Sequence, residues 1–371
     1  MKYIFVIQGE GRGHFTQALS LKNTLEKNGH EVISVLVGSS PKREFPDFFT
    51  RKINCNVVRF QSPNFMPTPK GKKSPLLVSI FYNLLLLPVY IESIFKINKA
   101  ISTSKPDVVI NFYELLCGLT YGVLNPKPPM ISIAHQYYFM TSEFKYLGSK
   151  PREFKLLNFY SMLTTLNASK ILALSFRAKK NSTIDNTNDI ITIVPPLLRS
   201  EVLNIETKNG NYIHGYILNS GYASELKQWS SSRPVQPLHF FWDKRNVSSV
   251  TSLTPNLTMH LLDDSLFVEY MAGCKAYATT GGFESVCEAM FLQKPVLMVP
   301  THIEQECNVL DALQSNVGVA AQEFELDLLL DFIPSYKKQT EFRYWVNAAE
   351  NILIQELTDV GIIENNIFVT I

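Results

Sequence analysis

Two doubly wound α/β units, each built on a parallel sheet, are what the pattern of this chain predicts. Short apolar runs alternate with amphipathic helical stretches along almost the whole length. Glycine-rich turns join strand to helix at 9–13 and again at 281–282, and 371 residues exceed the roughly 100–150 that one core usually serves. With 46% hydrophobic and 18% charged residues the chain is globular, not disordered. A net charge of +2 is too small for nucleic-acid binding by bulk electrostatics, so any cationic function is local.

The first series reads as a strand at 3–7, a helix at 14–28 stopped by Gly29, and a second strand at 31–37. Strands follow at 57–60, 108–111 (with a helix from Tyr113), 130–134, 171–174 and 190–194. Pro195-Pro196 breaks the pattern and a polar stretch, 206–211, comes soon after, which places the boundary in this region, with domains at 1–198 and 199–336. The second series runs strand 212–218, helix 223–229, strands 237–242 and 257–261, helix 265–272, strand 276–279 and helix 283–292. A helical pattern at 337–357 closes the chain, and 337–371 is expected to pack back toward the first domain.

Five scattered cysteines without C-x-x-C spacing predict reduced, mostly buried thiols and favour the cytoplasm. The amino-terminal apolar run stops at a glycine-rich loop and reads as a first buried strand, not a signal peptide. Residues 76–91 (LLVSIFYNLLLLPVYI) are almost wholly apolar but short of the ~20 residues that span a bilayer. Lys70, Lys72 and Lys73 precede this stretch, and Lys96 and Lys99 follow it. Two readings stay open, a buried core helix and a helix in an anionic membrane interface at 70–99.

Gly9-Glu-Gly-Arg-Gly-His14 follows the first strand and opens the first helix, so that the backbone at Gly11 and Gly13 can approach a phosphate or a sugar. A dinucleotide fingerprint wants glycine where His14 stands and an acidic residue ending the second strand, which here ends in Val37-Gly38. Nicotinamide binding is therefore disfavoured. His14 suits a general base, because imidazole titrates near neutrality. Glu114 and His135 each follow a strand end and are expected to line the same cleft as candidate catalytic groups; the plainer alternative is that all three are structural polar residues. No histidine spacing suggests a metal site, and no P-loop lysine or G-x-S-x-G elbow is present.

The second motif, Thr279-Thr-Gly-Gly-Phe-Glu-Ser-Val-Cys-Glu-Ala-Met290, places Gly281 and Gly282 at a strand-to-helix turn whose N–H groups and positive helix end suit an anion. Glu288, one turn deeper than Glu284, is placed to accept hydrogen bonds from a ribose while the glycines receive a pyrophosphate. After a second buried strand, in 294–300, Glu304, Gln305 and Asn308 open the next helix, where polar groups suit sugar hydroxyls.

Together these motifs make nearly the whole chain resemble GT-B glycosyltransferases, with two Rossmann-like domains facing a cleft. The resemblance is nearest to the family 28 type and to a less characterised branch that begins with a GxGRGH loop. It implies that Arg199, in Pro196-Leu-Leu-Arg199, lies near the donor nucleotide and that Leu262, in 258–264, meets a uracil. It also implies that Gly282 and Ser285 sit by the phosphates, Glu288 on the ribose, and Gln305 and Asn308 on the sugar. Where that family has a glycine-rich phosphate loop, this chain offers only Ser220 and one glycine in Leu218-Asn-Ser-Gly-Tyr222, and Glu304-Gln305-Glu306 departs from the family's pair before the asparagine. The expected activity is inverting, metal-independent transfer from a UDP-linked sugar to a glycan or lipid-linked acceptor at the inner face of the membrane. No cofactor of its own is expected, since the nucleotide-sugar is a substrate. A 2-epimerase and a non-catalytic nucleotide-sugar-binding subunit are the rival readings.

Overall fold

The computed structural model describes residues 1–41, 43–63, 82–179, 191–217, 220–244 and 247–359. The chain divides into two compact units. Unit 1 holds Met1–Lys145, Lys155–Leu197 and the chain from Asn347; unit 2 holds Tyr146–Phe154 and Leu198–Val346.

Unit 1 is built on seven strands: β1 (Lys2–Gln8), β2 (Glu31–Ser39), β3 (Asn56–Gln61), β4 (Val108–Phe112), β5 (Met130–Ala134), β6 (Lys170–Leu174) and β7 (Ile191–Val194). Their order is β3-β2-β1-β4-β5-β6-β7 and every pairing is parallel. A parallel sheet is covered on both faces, so its central strands are continuously apolar: Tyr3 to Ile7 are all fully buried. Helix Leu87–Ser104 buries Tyr90, Ile97 and Ile101 in a cluster with Ile4, Val6, Leu36 and Val109. Each such side chain contributes about 1.5–3 kcal/mol. The opposite face of that helix stays exposed at Leu87, Ile91 and Phe95. The helix is thus buried on one face only, and residues 76–81, with Lys70, Lys72 and Lys73, lie outside the described residues.

Unit 2 repeats the plan with β8 (Ile213–Ile217), β9 (Leu238–Trp242), β10 (Val250–Thr254), β11 (Leu257–Leu261), β12 (Ala276–Thr279), β13 (Val296–Met298) and β14 (Gly318–Ala320), in the order β10-β11-β9-β8-β12-β13-β14. Two of these strands go beyond the sequence reading. β14 has only three residues. β10 is antiparallel to β11, joined to it through Pro255-Asn256, and the Asn256 amide pins the turn to the carbonyls of Ser230, Arg233 and Gln236. All other pairings of this sheet are parallel.

The closing helical pattern is two helices, not one. Thr340–Asn347 buries Phe342 and Val346, whereas Ala349–Thr358 buries Leu353 and Leu357. The second belongs to unit 1, where Glu350 pairs with Lys27 and Glu356 with Lys170. The break falls between them because the two helices serve different cores. All five cysteines are free thiols, and four of them are buried.

Candidate functional site

In open α/β sheets ligands bind beyond the carboxyl ends of strands, where the strand order reverses. In unit 1 that point lies between β1 and β4. The loop after β1 delivers His14, and the residues after β4 are Tyr113 and Glu114.

Gly9 is required by packing, since a Cβ there would meet Gly38 O and Val37 at 2.8 Å. Gly11 is not: its Cβ would meet only Gln8 Oε1, at 4.0 Å, so the missing side chain leaves the backbone open to a ligand. Gly11 is the N-cap of helix Arg12–Lys27 and Gly13 lies in its first turn, beside His14. The His14 ring stacks on Tyr113 at 5.8 Å, and its Nδ1 is 3.3 Å from Gln17 Oε1. When Nδ1–H donates to Gln17, the lone pair of the neutral imidazole lies on Nε2. Tyr113 holds a left-handed backbone, φ +58°, with its hydroxyl 2.8 Å from Ser161 Oγ. Strain of this kind in a non-glycine residue marks a position fixed by its surroundings. Nothing in the sequence around Tyr113 or Gln17 singles them out.

Two expectations are corrected here. Glu114 does not project above the sheet; it is fully buried, and its carboxylate caps helix Leu115–Leu124 by accepting from Leu116 N at 3.0 Å and from Ser62 Oγ at 2.5 Å. Gly38 makes the room, because a Cβ there would strike the Glu114 carboxylate. His135 is buried too, its Nδ1 held 2.6 Å from Leu174 O among Tyr138, Phe139 and Phe176. Burial pushes its pKa down to about 3, so it is a neutral structural imidazole.

Burial raises the Glu114 carboxyl to about 7, opposed by the hydrogen bonds from Ser62 and Leu116 and aided by Glu10. A folded-state pKa above the ordinary value stabilises the fold below about pH 4.5, and that contribution is lost as pH rises through about 7. Glu114→Gln is therefore expected to be more stable than the parent at pH 8, by on the order of 1–3 kcal/mol, and close to it at pH 4.5. Urea unfolding at the two pH values checks this; an equal difference at both would reject the titrating cap. Retained turnover by the variant separates a cap from a catalytic acid.

In unit 2 the order reverses between β8 and β12. Gly281, after β12, has φ +83° and would place a Cβ 2.8 Å from Val309 Cγ2, so the fold demands glycine. Gly282 has an ordinary φ of −67° and a Cβ there would meet only Ser285 Oγ, at 3.9 Å. Nothing in the fold requires its lack of a side chain, which keeps the N-terminus of helix Phe283–Phe291 open to close approach by an anion. Ser285 Oγ donates to Gly282 O at 3.2 Å.

Glu288 is almost fully buried and grips Arg199 in a bidentate pair, Nε at 2.6 Å and Nη2 at 2.8 Å. Burial works against the charge on Arg199, but Glu288, with Asp264 at 3.7 Å, outweighs it and raises the pKa. The Arg199 and Glu288 positions singled out separately in the sequence are thus one device. Gln305 accepts from Thr301 N at 2.9 Å and Oγ1 at 2.7 Å and donates to Thr280 Oγ1. Asn308 Nδ2 donates to Gly281 O at 3.1 Å, while its buried Oδ1 has no partner among the described residues. Glu304 opens helix Ile303–Leu313 beside them. The Leu262 N–H is committed to Trp242 O at 3.1 Å. Ser220 begins a 3-10 turn, and Leu218 and Asn219 lie outside the described residues.

One group missed in the sequence is Glu306, which accepts from Tyr146 Oη at 2.7 Å and Lys150 Nζ at 2.6 Å and so fixes the segment Tyr146–Phe154 on the helix that carries Gln305. Among the described residues no three His, Cys, Asp or Glu side chains group as a metal site.

Two seven-stranded, doubly wound units are the architecture of the GT-B fold, and solved structures of that fold match almost the whole chain. The glycotransferase of kitacinnamycin matches with a TM-score of 0.63 at 15% identity, over 96% of this chain and 98% of that one. Phytolacca americana UGT2, complexed with UDP-2fluoro-glucose and pterostilbene, gives 0.63 at 12% identity, over 97% and 99%. MurG of Acinetobacter baumannii gives 0.55 at 13%, over 96% and 99%. At such identities the likeness is one of fold. The chain belongs to glycosyl transferase family 1, whose model matches residues 1–336. No curated protein matches it.

Proposed function

We propose that this glycosyltransferase moves a sugar from a UDP-linked donor, held by unit 2, to a hydroxyl of a glycan or lipid-linked acceptor, with inversion at the anomeric carbon. The observation that carries the reading is Gly282, a glycine the fold does not need, opening a helix whose first N–H groups await an anion, with Glu288 one turn deeper. Structural neighbours support the donor class, since one is described as complexed with a UDP-sugar analogue.

His14 Nε2 takes the proton of the acceptor hydroxyl as that oxygen attacks the anomeric carbon. The bond from that carbon to the diphosphate oxygen breaks on the opposite face, and the leaving charge falls on the N–H groups at 282–285. Arg199, paired with Glu288 beside the same helix, acts on the donor side through that pair. Glu288 holds the ribose, and Gln305 and Asn308, whose Oδ1 lacks a partner among the described residues, receive the sugar. Contact with an anionic membrane through 70–99 belongs to the same reading and is supported by the exposed ridge of Leu87, Ile91 and Phe95. No helix among the described residues is long and apolar enough to cross a membrane.

Thermal shift with UDP, GDP and dTDP tests the donor half. UDP at about a hundred times its Kd is expected to stabilise the fold by about 2.7 kcal/mol. A protein that no nucleotide stabilises would end the proposal.

A further inference from the structure

We propose that unit 1 carries a binding site for an anionic amphiphile, its headgroup seated between the ends of β2 and β3 and helix Leu87–Ser104, its apolar part along the exposed ridge of that helix. The headgroup site is an open cavity of about 410 Å³, with Ser39 and Arg59 on the strand side and Glu92, Ser93 and Lys96 on the helix side.

Two cations line this cavity, and both donate only to neutral oxygens. Arg59 Nε reaches Ser39 Oγ at 3.0 Å, its Nη2 reaches the carbonyls of Ser40 and Arg43, and its guanidinium lies 4.8 Å from the Phe45 ring centre. Lys96 Nζ donates to Arg59 O at 2.6 Å. Among the described residues neither cation forms an ion pair, not even with Glu92 of the same cavity. Arg59 is also fixed in place by four neighbours, so little conformational entropy opposes its binding of a phosphate.

Beside the cavity, Leu87, Ile91 and Phe95 recur at i, i+4 and i+8 and are 49%, 53% and 57% exposed; Leu84 and Leu85 extend the ridge. Lys96 follows Phe95 directly and Lys99 lies one turn on, both exposed. A free phosphate would use the cavity and leave the ridge idle. Cations and apolar ridge on one helix together fit a phosphate joined to a hydrocarbon chain, and the occupant is therefore a lipid. This inference deepens the lipid-linked half of the proposed function and rests on that reading for its consequence in turnover, but the binding itself is measured without transfer.

The test is flotation of the full chain with vesicles of phosphatidylcholine alone or with added phosphatidylglycerol, alongside calorimetry with glycerol 3-phosphate and with UDP. The chain is expected to float with the anionic vesicles only. Lys96→Gln is expected to weaken that binding by about fivefold, and the double variant Ile91→Gln/Phe95→Gln by about tenfold or more. Unchanged UDP affinity shows that the variants are folded. Equal flotation with neutral vesicles, or flotation indifferent to both variants, overturns the site. Binding of glycerol 3-phosphate without flotation overturns the lipid as its occupant. A chain that floats as expected yet binds no nucleotide contradicts the transferase reading alone, and one that binds UDP but never floats contradicts the lipid site alone.

Discussion

His14→Ala is expected to lower kcat by roughly 10²-fold or more while UDP affinity stays unchanged, the signature of a lost general base. The size follows from position. His14 stands in the first turn of its helix at the switch point of unit 1, with Nδ1 turned to Gln17 and the ring face on Tyr113, so the ring plane is set. Single-turnover transfer from a UDP-sugar to lipid extract is the measurement, and full turnover by the variant removes the role. Gln17→Leu offers a finer check, because it deletes the partner of Nδ1 and keeps the imidazole. A smaller fall in kcat with a displaced pH profile is expected, as for a residue that positions the base.

Most of the parallel strands and both switch points are legible in the sequence because fully buried strands leave continuous apolar runs, such as Tyr3 to Ile7, that stop at glycine. β10 is not legible in that way. At this edge every residue of Val250–Thr254 keeps some exposure, so no apolar run marks it, and its partner is fixed by the Asn256 turn. Glu114 and His135 show a second boundary. Both follow a strand end, as His14 follows a strand and its loop, yet they turn inward, because Ser62 and the Leu116 N–H draw in one and the Leu174 carbonyl the other. Ser62 and Leu174 lie on other elements, 52 and 39 residues away, and local spacing does not report them. Arg199 and Glu288, 89 residues apart, pose the same problem, since a motif identifies each residue but not their union.

That union makes Arg199→Ala the substitution with the largest expected cost to stability, about 3–5 kcal/mol in urea unfolding, because it leaves the Glu288 carboxylate buried without its counter-charge. The loss is mainly that of an orphaned charge. Glu288→Leu combined with Arg199→Met removes both charges and is expected to recover most of the stability. The double variant also separates the two roles of the pair. If the carboxylate serves only the fold, the apolar replacement folds and binds UDP as the parent does. If Glu288 takes the ribose hydroxyls and Arg199 faces the diphosphate, the double variant is stable yet binds UDP at least about tenfold more weakly, since a hydrogen bond to a charged group is worth roughly 1.5–3 kcal/mol. Calorimetry on a protein of parental stability distinguishes the two, and undiminished UDP affinity there would detach the pair from the donor site.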